Sequence, residues 1–249
     1  MNSDLADITA NKPKFYGRRQ GRTIRRAKTF LLEHFLPTVR LDVYKAGELI
    51  QCFPEKKQKY CLEIGFGDGE HLAALALDNP DIGYVGVEVF KNGVANLLSL
   101  LTGLKEGTDA DLQQDIHLAD GRVDNIRVFD DDVRLLFSAL PEGIFDKVYL
   151  LFPDPWPKSR HANRRFVNPE NLQHLARIIK KDGILQIATD HPIYKKWVLE
   201  TMHGREDFVW TAKTSADWRN PPHDWHETKY QRKALREGRR PVFFEFKRI

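Results

Sequence analysis

The chain has 249 residues, of which 41% are hydrophobic and 30% charged, with a formal net charge of +4. That length suffices for one large α/β domain with its own core, and no apolar run approaches the roughly 18 residues that a membrane span requires. The start of the chain lacks the apolar stretch of a secretory signal. Its 2 cysteines, Cys52 and Cys61, stand outside any C-x-x-C spacing, so a cytoplasmic protein with no membrane association and no structural metal is expected.

In chain order, residues 1–28 carry Lys12, Lys14, Arg18, Arg19, Arg22, Arg25, Arg26 and Lys28. No acid lies between Lys12 and Lys28, and residues 1–28 read as a flexible basic arm preceding a single domain over 29–249. Pro37 is expected to break any helix in "TFLLEHFLPTV". "YCLEIGFG" (60–67) predicts a buried strand running into a tight turn, and "EHLAALALDNP" a helix ended by Asn79-Pro80. "IGYVGVEVF" and "KNGVANLLSLLTGLK" repeat the strand and helix, which implies parallel pairing with right-handed crossovers. Residues 105–122 read as a loop with weak helix. "NIRVF", "DKVYLLFPD" and "GILQIATD" predict three more strands, with a helix in "NPENLQHLARIIK". "DFVWTA" and "PVFFEFKRI" alternate as an antiparallel pair at a sheet edge.

Ligands of such sheets bind beyond the carboxyl ends of strands. There Gly65, Gly67 and Gly69 let the backbone bend and approach a ligand, and Glu88 ends the next strand where an acid grips ribose hydroxyls. A third glycine of the dinucleotide fingerprint is missing, because position 70 is Glu70, and Glu63 puts negative charge where a pyrophosphate would be repelled. A cationic cofactor is favoured instead. S-adenosylmethionine carries an ammonium and a sulfonium and no phosphate, and the turn resembles the first motif of class I methyltransferases. After the third strand, Asp131 or Asp132, with Asp132 preferred, is placed to meet an adenine; the run also suits a helix cap.

The stretch "LLFPDPWPKSRHANRR" (150–165) ends an apolar strand with three prolines around Asp154 and Trp156, then sets down Lys158, Arg160, Arg164 and Arg165. Proline fixes φ and removes a backbone donor, so the stretch reads as a stiffened carboxylate and aromatic face joined to a phosphate grip. His161, among these arginines, suits a phosphate or water contact better than a metal. Trp197, Trp218 and Trp225 read as core or loop anchors. With a third basic group over 229–240, the segregated charge points to nucleic acid.

"FPDPWPKSRHANRR", "EIGFGDGEHL", "GVEVFKNGV", "ATDHPIYKKW" and "TKYQRKALREGRRPVFFEF" together resemble the tRNA (guanine-N7)-methyltransferase family of bacteria over roughly residues 15–249. The resemblance implies a Rossmann-like class I fold: a mostly parallel seven-stranded sheet with an antiparallel edge strand and helices on both faces. It implies methyl transfer from S-adenosylmethionine to N7 of guanosine 46 in the tRNA variable loop. By the same resemblance Glu63, Gly65, Gly67, Glu88, Asp131 or Asp132, and Asp154 touch the cofactor, and Asp154 is the catalytic candidate. Lys158, Asp190, Thr228, Lys229, Tyr230 and Gln231 contact the substrate, and Arg160, Arg164 and Arg165 the RNA. The chain departs from the family's usual pattern at Ser159, Asn163 and Gln231. A non-enzymatic RNA-binding module would explain the arginines but not the braced aspartate. A nicotinamide-dependent oxidoreductase would share the strand and glycine pattern but not the basic patches.

Overall fold

The computed structural model of the protein describes residues 13–104 and 124–249. Lys12, the beginning of the basic arm and the 105–122 segment lie outside them. The chain divides after Pro141 into two compact units. The seven strands make a Rossmann-like mixed sheet, three of them in the first unit and four in the second.

In the first unit, α1 (Arg26–Phe30) runs through a π-helical turn, Leu31–Phe35, into α2 (Leu36–Val39). The helix therefore does not break at Pro37, contrary to the expectation. Pro37 stands in the first turn of α2, where a missing N–H costs nothing. The wider turn before it lets the Leu36 amide reach back to the Leu31 carbonyl. There follow β1 (Lys59–Ile64), α3 (Glu70–Asp78), β2 (Ile82–Val87), α4 (Lys91–Thr102), β3 (Ile126–Phe129) and the short α5 (Arg134–Phe137). The strands lie in the order β3-β2-β1, all parallel, with Glu63 opposite Gly86. β1 and β2 are buried beyond their first residue, as strands covered on both faces must be, and this is why they read as unbroken apolar runs. Leu62, Leu72, Leu97 and Leu98 fill the core beside them.

The second unit contains β4 (Phe145–Leu151), α6 (Pro169–Ile178), β5 (Ile179–Thr189), α7 (Pro192–Met202), β6 (Phe208–Trp210), α8 (Ala216–Arg219), α9 (Lys229–Arg236) and β7 (Val242–Arg248). β4 pairs parallel with β5, β7 lies antiparallel to β5, and β6 closes the edge antiparallel to β7. The pairing of the last two strands is the one their alternation predicts. Phe145, Tyr194 and Phe244 are among the largest fully buried side chains. Among the described residues no helix is long and apolar enough to cross a membrane, and no cluster of three or more histidine, cysteine or acidic side chains could hold a metal.

Candidate active site

β1 delivers its acid to the turn as a buried side chain. Glu63 is 3% exposed, and its Oε2 lies 2.8 Å from Nδ1 of His71, the second residue of α3. The turn itself depends on the next strand. Glu88, just past β2, accepts the Gly67 amide on Oε2 and the Phe90 amide on Oε1, each at 2.8 Å. The carboxylate expected to meet a ribose thus fixes the glycine turn.

Gly65 adopts φ 69°, and a Cβ there would meet no atom within 4 Å. The backbone at this strand end borders open space. Gly93 has the opposite surroundings. A Cβ on it would come 2.1 Å from the Gly67 carbonyl, so α4 sits against the turn only because that side chain is absent.

Each aspartate after β3 has its own arginine. Asp130 is gripped by Arg40 through both oxygens, Asp131 by Arg19 at 2.8 Å, and Asp132 by Arg134 through both oxygens. Asp132 also accepts the Arg134 amide at 3.0 Å, just ahead of α5, whose N-cap is Val133 and carries no side-chain cap. Its side chain is 7% exposed against 23% for Asp131. Asp131 rather than the preferred Asp132 is therefore the more accessible of the two.

Part of the basic arm is seated on this unit. The Arg19 carbonyl accepts the Lys91 amide at 2.9 Å. Asn92 accepts the Gly21 amide at 2.8 Å and donates to the Arg22 carbonyl at 2.7 Å. The Lys14 carbonyl accepts from Arg134 at 3.0 Å. Two segments remote in sequence thereby join at the N-terminus of α4.

In the second unit, Asp154 is exposed beyond the end of β4. The loop around it is held in unusual backbone geometry: Phe152 has φ 51° and Trp156 φ 41°, a region that aromatic residues rarely occupy. Phe152 stacks on Tyr230 with ring centroids 6.4 Å apart, and the Arg164 guanidinium lies 5.0 Å from the Trp156 ring. Lys158, just before the 3₁₀ turn Ser159–Arg164, and Arg160 on it are exposed. Desolvation and the nearby Arg164, Arg160 and Lys158 lower the His161 pKa. Its ring therefore stays neutral at pH 7.

Arg165 does not stand with the other arginines. It is 5% exposed and donates from Nε to the Pro155 carbonyl and from Nη2 to the Trp156 carbonyl, at 3.1 and 3.0 Å. The expected RNA contact at Arg165 thus falls on a buried guanidinium that gives two of its N–H groups to the loop.

Asp190, just past β5, accepts from Nε of Arg239, an interaction that raises the arginine's pKa. At the start of α9, Thr228 and Gln231 are buried. The Thr228 hydroxyl caps the helix by accepting the Gln231 amide at 3.0 Å, and Gln231 Oε1 accepts the indole N–H of Trp225. These two expected substrate contacts are thus occupied in building the helix end, while Lys229 and Tyr230 lie outside the buried layer. His71, Arg239 and the loop-bracing role of Arg165 were not legible in the sequence. The one available signal was the shortage of backbone donors among the prolines.

The model of a family described as a putative methyltransferase matches residues 57–243. Among solved structures, an aminoglycoside-resistance methyltransferase aligns with a TM-score of 0.52 over 84% of this chain and 95% of its own, at 16% identity, a likeness of fold. The fold is that of a class I methyltransferase.

Two relatives narrow the class. The chain is 42% identical over 250 residues to the tRNA (guanine-N(7)-)-methyltransferase of Paramagnetospirillum magneticum, covering 99% of this chain and 98% of that one. It is 40% identical over 240 residues to that of Rhodospirillum rubrum, covering 94% and 88%. The protein belongs to the tRNA (guanine-N7)-methyltransferase family.

Proposed function

We propose that the protein methylates N7 of guanosine 46 in the variable loop of tRNA, with S-adenosylmethionine as donor. The observation that carries this reading is the exposed carboxylate of Asp154, flanked by prolines at the end of β4 and followed at once by exposed Lys158 and Arg160. The substrate class follows from the relatives, which are themselves tRNA guanine-N7 methyltransferases.

The first unit suits the donor. Open space above Gly65 and carboxylates at two neighbouring strand ends, Glu63 and Glu88, favour a cationic ligand with a ribose over a pyrophosphate. Bound there, S-adenosylmethionine supplies an electrophilic methyl group on a sulfonium. Glu88 fixes the turn and meets the ribose hydroxyls, and Asp131, the more exposed of the two aspartates, meets the adenine.

Guanine N7 carries a lone pair and no proton, so the chain has no base to provide and its task is positioning. Methylation leaves positive charge on the purine. Asp154 stabilises that developing charge as a preorganised carboxylate, and by family resemblance it also touches the cofactor. Lys158, Arg160 and Arg164 hold phosphates, with Lys229 and Tyr230 as further substrate contacts. The test is methyl transfer from labelled S-adenosylmethionine to an unmodified tRNA transcript and to a matched transcript lacking guanosine 46. Label in the first alone is expected, and equal label in both overturns the positional claim.

A further inference from the structure

The proline-rich loop cannot hold itself. Pro153, Pro155 and Pro157 remove three backbone donors from the residues around Asp154, while the loop's carbonyls still need partners where they turn inward. Arg165 supplies them. One guanidinium bridges two successive carbonyls, those of Pro155 and Trp156, and so fastens the residue after Asp154 and the strained residue beyond it.

Arg165 is in turn fixed from behind. Its guanidinium lies 4.6 Å from the Trp197 ring, whose indole N–H donates to the Val167 carbonyl at 2.6 Å. The Val167 amide donates to the hydroxyl of Tyr194, a fully buried side chain of the same helix, α7. The Arg165 backbone is tied by its own amide to the Ala162 carbonyl and by its carbonyl to the Asn168 side chain. Cation, ring and backbone bonds thus converge on one rotamer, an arrangement that serves placement.

We infer that Arg165 is a positioning residue for the methyl-transfer reaction: it clamps the Asp154–Trp156 loop through the two carbonyls and makes no contact with RNA. This rests on the reading of Asp154 as the catalytic carboxylate. A planar fork is required, because an ammonium can neither span both carbonyls nor stack on Trp197 in the same way.

The test compares Arg165→Lys, Arg165→Gln and Asp154→Asn in the full chain. Single-turnover methyl transfer to a tRNA transcript is measured together with tRNA affinity at several salt concentrations. Both Arg165 variants are expected to lose about 100-fold in turnover, the scale of an ångström-level misplacement. Their tRNA affinity and salt slope should stay within about twofold of wild type, the margin left once phosphate contacts are untouched. An Arg165→Lys enzyme with near-normal turnover, or a weakened affinity with a shallower salt slope in either variant, overturns the inference. Loss of cooperative unfolding in both variants also overturns it, since a clamp confined to one loop leaves the rest folded. Asp154→Asn tests the underlying reading separately. Normal turnover in that variant removes the catalytic role of Asp154, whatever the Arg165 variants do. With that role intact, the double variant Arg165→Gln/Asp154→Asn should be no slower than Asp154→Asn alone.

Discussion

Arg239 donates to the carboxylate of Asp190 from 49 residues further along the chain, so the acid past β5 is held by a cation from the segment that follows α9. The same arginine also bonds Glu237, and its amide reaches the Ala234 carbonyl at 2.9 Å. Asp190 is thereby aimed rather than free. Arg239→Gln should raise the KM for tRNA and lower turnover together, by about tenfold, the loss of one charge-assisted bond. Steady-state kinetics on a transcript measure it; an unchanged KM separates Asp190 from the substrate. The raised Arg239 pKa means the pair's contribution is present below the ordinary arginine value and lost only above it, so no pH dependence between 5 and 9 should arise from it.

The two glycine environments in the first unit predict opposite phenotypes. Gly93→Ala forces a Cβ against the Gly67 carbonyl and should cost about 1–3 kcal/mol of stability through overpacking. Gly65→Ala meets no atom and should cost about 1 kcal/mol through its left-handed φ, while weakening cofactor binding. Thermal unfolding and calorimetry with S-adenosylmethionine distinguish them.

The exposed Arg160 and the half-buried Arg164 should act through salt. Replacing Arg160 or Arg164 by glutamine is expected to reduce the slope of log affinity against log salt by about one per residue. Titrations over a range of salt concentrations provide the slope, and an unchanged slope in both variants excludes them as phosphate contacts.

His161 gives the pH counterpart. Its depressed pKa means the folded chain binds fewer protons there than the unfolded chain, so any stability it carries is present above the ordinary histidine value and declines as pH falls through it. Protonation adds a cation beside Arg160 and Arg164, and phosphate favours it. Wild type and His161→Gln should bind tRNA equally at pH 7.5, and wild type more tightly below about pH 6. Parallel curves across that range would contradict the assignment.

Thr228 and Gln231 predict a stability effect ahead of a kinetic one. Thr228→Ala removes the α9 cap and should destabilise by about 1 kcal/mol. Denaturant unfolding measures it, and an unaltered midpoint would mean that the cap contributes nothing.

Much of this was legible because buried parallel strands write themselves as unbroken apolar runs and because glycine and proline mark their backbone needs. β1, β2 and the turn between Glu63 and Glu88 follow from that alone. α9 was not legible: "KYQRKALR" has hardly any apolar face, and its start is fixed by the buried Thr228 cap. The helix through Pro37 was missed because a π-helical turn, which no short-range pattern announces, makes room for the ring. The burial of Arg165 was not legible because composition counts a buried cation and an exposed one alike. Glu63 with His71 shows the same limit, since one stands on a strand and the other on the helix after the turn, so no single period links them.

The void left by the missing Gly93 side chain also constrains how this chain can be recombined with its relatives. Since the carbonyl of Gly67 fills that space, a chimera whose crossover falls between the two glycines will inherit one half of a matched surface. Hybrid enzymes should therefore take residues 63–97 from a single parent.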